Sequence, residues 1–210
     1  MFKKVNLDKY KRKEHFEFYT QNIPCSFELT VKLNITSFYS FICKNNLKFY
    51  PCWIYCISKS VNQFEEFRLS LDENEKLICY DIIHPSYTIF HKDTKTFSVL
   101  WTTYQKDLKD FLNLYEEDIR LLENNKQMFI KNIINNTFNI SAIPWIAFEN
   151  FSLHLPKKDK YYFPIFTSGK IIKENNNILI PFSINVNHAV NDAYHVSVFL
   201  NKLQQELDSL

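Results

Sequence analysis

His188 is the residue of this chain best placed to move a proton. It stands in the run Asn187-His188-Ala189-Val190-Asn191-Asp192-Ala193, between an alternating apolar stretch and a helically spaced one. A turn of that kind holds side chains at the mouth of a sheet, and histidine takes and returns a proton near neutral pH with little retuning. The chemistry on offer is general base catalysis, although such a histidine is more often merely packed or solvated. Asp192 could hold a counter-charge, or cap the helix that follows. His195 lies seven residues beyond His188, and no third residue of suitable spacing joins the pair, so no metal is expected. His15, His84, His91 and His154 form no pattern. Gly169 is the only glycine. Phosphate cradles built from backbone amides need several, so a nucleotide-like cofactor would have to be held by side chains and a tunnel.

To aim His188 the chain needs a strand before it and a helix after it. Ile178, Ile180, Phe182, Ile184 and Val186 alternate over 178–186, and that parity sends His188 to the same apolar side. From Asp192 on, Val196, Phe199, Leu200, Leu203 and Leu207 predict a final helix. Upstream, helices are expected over 11–20, 36–46 and 51–63, the last with Pro51 in its first turn. Phe27, Leu29, Val31 and Leu33 alternate as a half-buried strand. Runs 66–71 and 76–80 read as a hairpin, 86–91 and 96–102 as further strands, and 104–124 as one long amphipathic helix. Strands follow near 138–148, 150–155 and 161–167, and the asparagine-rich stretches 132–139 and 175–177 read as loops or turns. Strands and helices mix without regular alternation. The expected fold class is therefore α/β, a two-layer sandwich with a mixed β-sheet, in one domain spanning 1–210.

Composition narrows the partners. The 210 residues are 46% hydrophobic and 17% aromatic, which suits a packed core, and the formal charge is only +2. No basic cluster is dense enough for nucleic acid. The N-terminus lacks the apolar segment of a signal peptide, and no run is long enough for a membrane helix. Cys25, Cys43, Cys52, Cys56 and Cys79 are odd in number with no CxxC spacing, as expected of reduced thiols in a cytoplasmic protein.

The segment from Asn187 to Ala193 resembles the HHxxxDG signature of the chloramphenicol acetyltransferases (type A), a motif shared with dihydrolipoyl acyltransferase cores. The similarity continues in the run Arg12 to Tyr19, in Pro24-Cys25, in Phe49-Tyr50-Pro51, in Val61 to Phe64 and in Thr88 to His91. Further on it takes in Thr96-Phe97-Ser98, Asn139-Ile140-Ser141 with Pro144-Trp145, and Phe166-Thr167. Together these matches are specific.

The resemblance implies a CoA-dependent acyltransferase-like fold and direct acetyl transfer from acetyl-CoA to the 3-hydroxyl of chloramphenicol in a ternary complex. His188 would be the base, its tautomer fixed by its own main-chain carbonyl. Ser141 would stabilise the oxyanion, and Thr167 would contact the intermediate through water. Asp192 and Arg12 would pair to support the site. The drug pocket would comprise Phe18, Tyr19, Cys25, Leu29, Phe97, Val99, Phe129, Asn139, Phe151, Leu153, Leu155 and Ile165. Coenzyme A would meet Lys48, Tyr50, Trp145 and Lys170. A homotrimer with sites at subunit interfaces is implied as well. Three positions depart from the signature: Asn187 for its first histidine, Asn191 for the usual cysteine and Ala193 for the glycine. Alanine is costly at that last position if φ is positive, and tolerated if the helix has begun. An acetyltransferase for another small hydroxylated compound, or a non-catalytic binding homologue, stays open. A lipoamide acyltransferase is disfavoured, because no lipoyl-bearing segment or linker is seen ahead of the core.

Overall fold

The computed structural model describes residues 1–123, 125–154 and 160–209. Among the described residues, ten strands and five α-helices follow one another along the chain. β1 (Phe2–Lys4) leads to α1 (Lys13–Gln21), β2 (Ser26–Asn34), α2 (Thr36–Lys44) and α3 (Phe49–Val61). Then come β3 (Leu69–Leu71), β4 (Leu77–Tyr80), β5 (His84–His91), β6 (Thr96–Trp101) and α4 (Leu108–Arg120). The last are β7 (Thr137–Ala142), β8 (Ile165–Ser168), β9 (Ile172–Glu174), β10 (Asn177–Asn187) and α5 (Ala193–Asp208).

The main sheet has seven strands, ordered β2-β10-β8-β7-β5-β6, with β9 also paired to β10. β7 runs parallel to both β5 and β8, and the other pairs are antiparallel, so the sheet is mixed. α2 to α5 pack on one another and on one face of it. Aromatic rings fill that layer: Phe166, on β8, lies between Phe182 at 5.4 Å and Phe199 at 5.3 Å, while the Trp53 indole donates to Ser168 Oγ at 2.7 Å. The alternation along β10 builds this core. Ile180, Phe182, Ile184 and Val186 all point into it, and Leu33, Val31, Leu29 and Phe27 oppose them on β2. A smaller core of Phe16, Leu69, Leu77, Cys79, Tyr162, Ala189 and Val190 joins α1 and the β1-β4-β3 sheet to the end of β10.

Several expected boundaries move. The helix expected over 104–124 begins only at Leu108, because the Asp107 carboxylate caps it by accepting from the Lys109 and Asp110 N–H groups, and it ends at Arg120. The strand near 138–148 stops at Ala142. Residues 150–154 form no strand: their backbone is spent on side chains of β2 and β10 instead of a ladder. The strand of 161–167 is confined to Ile165–Ser168. Asn175 and Asn176, both with positive φ, turn β9 into β10, a role suited to asparagine. Replacing Phe166 with alanine should lower stability by about 3–5 kcal/mol, read in a denaturant titration, since the cavity lies in the middle of the stacked rings.

Candidate active site

β10 ends at Asn187, and the turn that follows is tied down on every side. The His188 N–H donates to the Cys25 carbonyl at 3.0 Å, which extends the pairing of β10 with β2 by one residue. The Asn187 side chain accepts from the Ala189 N–H at 3.0 Å and donates to the Tyr161 carbonyl at 3.2 Å. The imidazole of His188 stacks on Tyr19 of α1 at 4.0 Å and meets the edge of Phe27 at 5.2 Å. Its Nδ1 lies 3.1 Å from the Asn191 carbonyl oxygen. A carbonyl only accepts, so Nδ1 carries the proton and Nε2 keeps its lone pair. The carbonyl that fixes the tautomer is thus Asn191's and not the histidine's own. The latter is turned away by the reversal of the chain and accepts from Arg12 Nη2 at 3.3 Å.

Arg12 also pairs with Asp192. Asp192 in turn caps α5: its Oδ1 accepts from the Tyr194 and His195 N–H groups, while its own N–H donates to His195 Nδ1. Burial pushes the Asp192 carboxyl up, but the charge that His195 carries when protonated and the Arg12 guanidinium outweigh it and leave it below the usual range. Ala193 is the first residue of this helix and is absent from the positive-φ positions, so the departure from glycine carries no strain.

Ser141 and Thr167 are register partners on β7 and β8, and Thr167 is opposite Ser183 of β10. All three share the face of the sheet away from the helices. His188 therefore sits two strands over and five residues along from Ser141, roughly 19 Å away by strand rise and spacing. Within one chain the two do not meet.

Two clefts flank the sheet. On the helix side a cleft of about 470 Å³ is lined by Tyr50, Trp145 and Lys170, together with Phe49, Trp53, Phe90, Ala142 and Ser168. Gly169 lies in its wall. A Cβ there would stand 3.0 Å from both Phe148 and Pro181, so this glycine serves close packing. Three of the four residues expected at coenzyme A thus converge. Lys48 does not: it is exposed and paired to Glu116 at 2.8 Å, outside the cleft lining.

On the other face a cleft of about 680 Å³ is lined by Val99, Phe129 and Asn139 of the expected pocket. Ile165 is the register partner of Asn139, on the same face. Phe151 and Leu153 cover the neighbouring part of that face through bonds to Ser183 and Asn185. Tyr19 and Cys25 instead contact His188, Phe18 meets the edge of Tyr19, Leu29 follows the helix-facing parity of β2, and Phe97 lies exposed on β6 outside the lining. Leu155 falls outside the described residues.

The cleft also has walls the sequence reading missed. Tyr161 accepts from the Asn139 amide at 2.8 Å, and burial pushes its phenol well up. Lys131 spans Trp101, 3.8 Å above the ring, and Asp118, at 2.7 Å. Nothing in local spacing marks Tyr161 and Lys131, because they are brought in by coil segments, and Trp101 ends β6. His84 and His91 are bonded within the fold, to the Tyr104 N–H and to Ser98. Among the described residues, no group of three or more metal-ligating side chains stands together, and no helix is long and apolar enough to cross a membrane.

A family model for chloramphenicol acetyltransferase matches residues 1–204. The chain is similar to a chloramphenicol acetyltransferase of Clostridioides difficile, 44% identical over 98% of this chain and 95% of that one. It is also similar to one of Clostridium perfringens, 43% identical over the full length of both. Among solved structures, a chloramphenicol acetyltransferase superposes with a TM-score of 0.89 at 20% identity, covering 99% of this chain and 100% of the other. A dihydrolipoamide acetyltransferase of Azotobacter vinelandii gives 0.70 at 16% identity, over 93% of this chain and 86% of that one.

Asp192→Asn keeps a capping oxygen but gives up the charge paired with Arg12, whereas Asp192→Ala loses both. The alanine variant should be the less stable in urea by about 1 kcal/mol. Because the folded carboxyl titrates below its ordinary range, the ion pair's contribution is present above that range and lost as pH falls through it. The gap between wild type and Asp192→Asn should close in acid.

Proposed function

The chain belongs to the chloramphenicol acetyltransferase family and is an acyltransferase, and on that premise we propose that it moves the acetyl group of acetyl-CoA onto the 3-hydroxyl of chloramphenicol, inactivating the antibiotic. The observation that carries the mechanism is the tautomer of His188: with Nδ1–H spent on the Asn191 carbonyl, Nε2 is left as a proton acceptor. The hydroxyl proton passes to Nε2 as the oxygen attacks the thioester carbonyl. Ser141 donates to the oxyanion so formed, and Thr167, its neighbour across the β7–β8 pair, orders a water beside it. Collapse breaks the carbon–sulfur bond, and the departing thiolate recovers the proton from His188. Both substrates are held at once, so attack is effectively unimolecular and no acetyl group rests on the protein.

The clefts support this division of labour. The helix-side cleft ends at Ala142 and Ser168, each one residue beyond Ser141 and Thr167. An apolar pantetheine arm lying along Tyr50 and Trp145 reaches the sheet there, with the phosphates left at the rim near Lys170. The drug occupies the opposite face, against Val99, Phe129, Asn139 and Ile165. Lys48 takes part only by exchanging Glu116 for phosphate.

The same reading requires more than one chain. His188 is too far from its own Ser141, and Phe18, Leu29, Phe97, Phe129, Trp145 and Leu153 all remain exposed on the monomer, an apolar surface in need of cover. A homotrimer in which each His188 faces the Ser141 cleft of a neighbour meets both needs, with the 1–210 chain acting as one domain in the cytoplasm, where acetyl-CoA is available.

Thiol release from acetyl-CoA with chloramphenicol tests the chemistry. His188→Ala should lose about 10²–10⁴-fold in kcat, and Ser141→Ala about 10²-fold. Thiol release that persists in the first variant would remove His188 as the base. Refolding these two weak variants together tests the shared site. Mixed trimers regain one intact site each, so about a quarter of wild-type activity should return. No recovery would place each site within a single chain.

A further inference from the structure

The acetyl-transfer mechanism leaves a half-buried histidine beside the base without a role. His195, at the start of α5, is bonded to the same peptide unit as the base. The carbonyl of the Asn191–Asp192 peptide accepts from His188 Nδ1 at 3.1 Å, and the N–H of that peptide donates to His195 Nδ1, also at 3.1 Å. The Asp192 N–H is directed at Nδ1, whereas Asp192 Oδ1, 2.9 Å from the same nitrogen, makes no hydrogen bond with it and accepts from main-chain N–H groups instead; His195 therefore presents a lone pair at Nδ1 and carries its proton at Nε2. That Nε2 stands 3.9 Å from Glu66 Oε1, an electrostatic contact too long for a direct hydrogen bond. The Asn191 amide is tied to the same residue, donating to the Glu66 carbonyl at 3.4 Å.

We propose that His195 is a positioning residue for the base, acting on His188 through the peptide group between them and oriented by Glu66. Hydrogen bonds in series polarise one another. By accepting the Asp192 N–H, His195 draws electron density onto the Asn191 oxygen and makes it a stronger acceptor for Nδ1–H of His188. The gain is greatest when His188 holds the substrate's proton and is positive, which is in the transition state. The negative charge of Glu66, 3.9 Å from Nε2, favours the His195 proton on the outer nitrogen and so keeps Nδ1 free to accept. The other charged groups around the pair are Asp192, whose Oδ1 lies 2.9 Å from His195 Nδ1, and Arg12, which binds the His188 carbonyl. A device of this form does for a main-chain carbonyl what a carboxylate does in a hydrolase triad: it fixes the tautomer and supports the imidazolium.

Because the effect is confined to the transition state, it belongs in kcat and not in KM. The inference rests on His188 being the base, and the assay separates the two. Loss of that assignment shows as thiol release persisting in His188→Ala, whereas failure of the relay shows only in the His195 and Glu66 variants. His195→Ala should lower kcat about tenfold, the value of one hydrogen bond felt at the base, with both KM values unchanged. His195→Gln offers an amide oxygen to the Asp192 N–H, as in an ordinary capping box, and should return kcat to within about threefold of wild type. Glu66→Gln should cost about threefold in kcat, an effect that a helix cap alone would not produce. Wild-type kcat in a folded His195→Ala protein overturns the proposal, as does a loss that His195→Gln leaves uncorrected. If the alanine variant does not fold, the other two decide: a slow His195→Gln enzyme beside a fully active Glu66→Gln enzyme overturns it equally.

Discussion

The hydrogen bond from His188 Nδ1 to the Asn191 carbonyl is the contact on which the remaining architecture converges. It sets which nitrogen can accept a proton, and it exists only while the chain reverses within three residues of β10. Each neighbouring contact holds that reversal. β2 secures its start through the Cys25 carbonyl, Tyr19 and Phe27 clamp the ring, and the Asn187 side chain bridges to Tyr161. Arg12 joins the His188 carbonyl to Asp192, so one guanidinium spans both ends of the turn. α5 starts there because Asp192 caps it, which makes the helix boundary and the orientation of the His188 ring one structural event.

On the proposed reading the sheet has a second task, which is to keep two ligands apart until their reacting atoms meet. Its helix-side face carries the aromatic core and the narrow cleft of Tyr50 and Trp145. Its other face carries Asn139, Ser141, Ile165, Thr167 and Ser183, the last three already covered within the chain. Around that polar stripe Phe97, Phe129 and Leu153 remain exposed. On the proposed reading, assembly covers those rings and delivers the missing imidazole together. Stability of the trimer and completeness of the active site then depend on the same apolar contacts.

How much of this was legible in the sequence depended on the range of the interactions. The β10 strand, the α5 helix and the Asp192 cap were readable because alternation, helical spacing and capping are properties of neighbours in sequence. Asn175 and Asn176 announced their turn for the same reason. The strand expected over 150–155 failed because its alternating apolar residues meet side chains of Glu28, Ser183 and Asn185, and those arrive from distant strands. Tyr161, Trp101 and Lys131 were invisible as cleft walls on the same account. Family resemblance brought together Tyr50, Trp145 and Lys170, which no periodicity connects. It misassigned the carbonyl behind His188, a detail held by one backbone reversal.

The departures from the family signature follow from what the turn uses. Main-chain groups carry the critical bonds, so the side chain at 191 is free to change from thiol to amide while its carbonyl stays in place. The amide is not without cost: its Oδ1 is buried with no partner, worth about 1–3 kcal/mol, offset in part by the bond from Nδ2 to Glu66. Asn187 replaces a histidine by a side chain that both donates and accepts, and both functions are used. Ala193 is harmless because the helix has already begun. On the proposed reading two side chains of the segment have no substitute, His188 for its lone pair and Asp192 for combining a cap with a charge. The segment therefore tolerates change wherever a peptide group does the holding, and resists it where a side chain must present a lone pair or a charge.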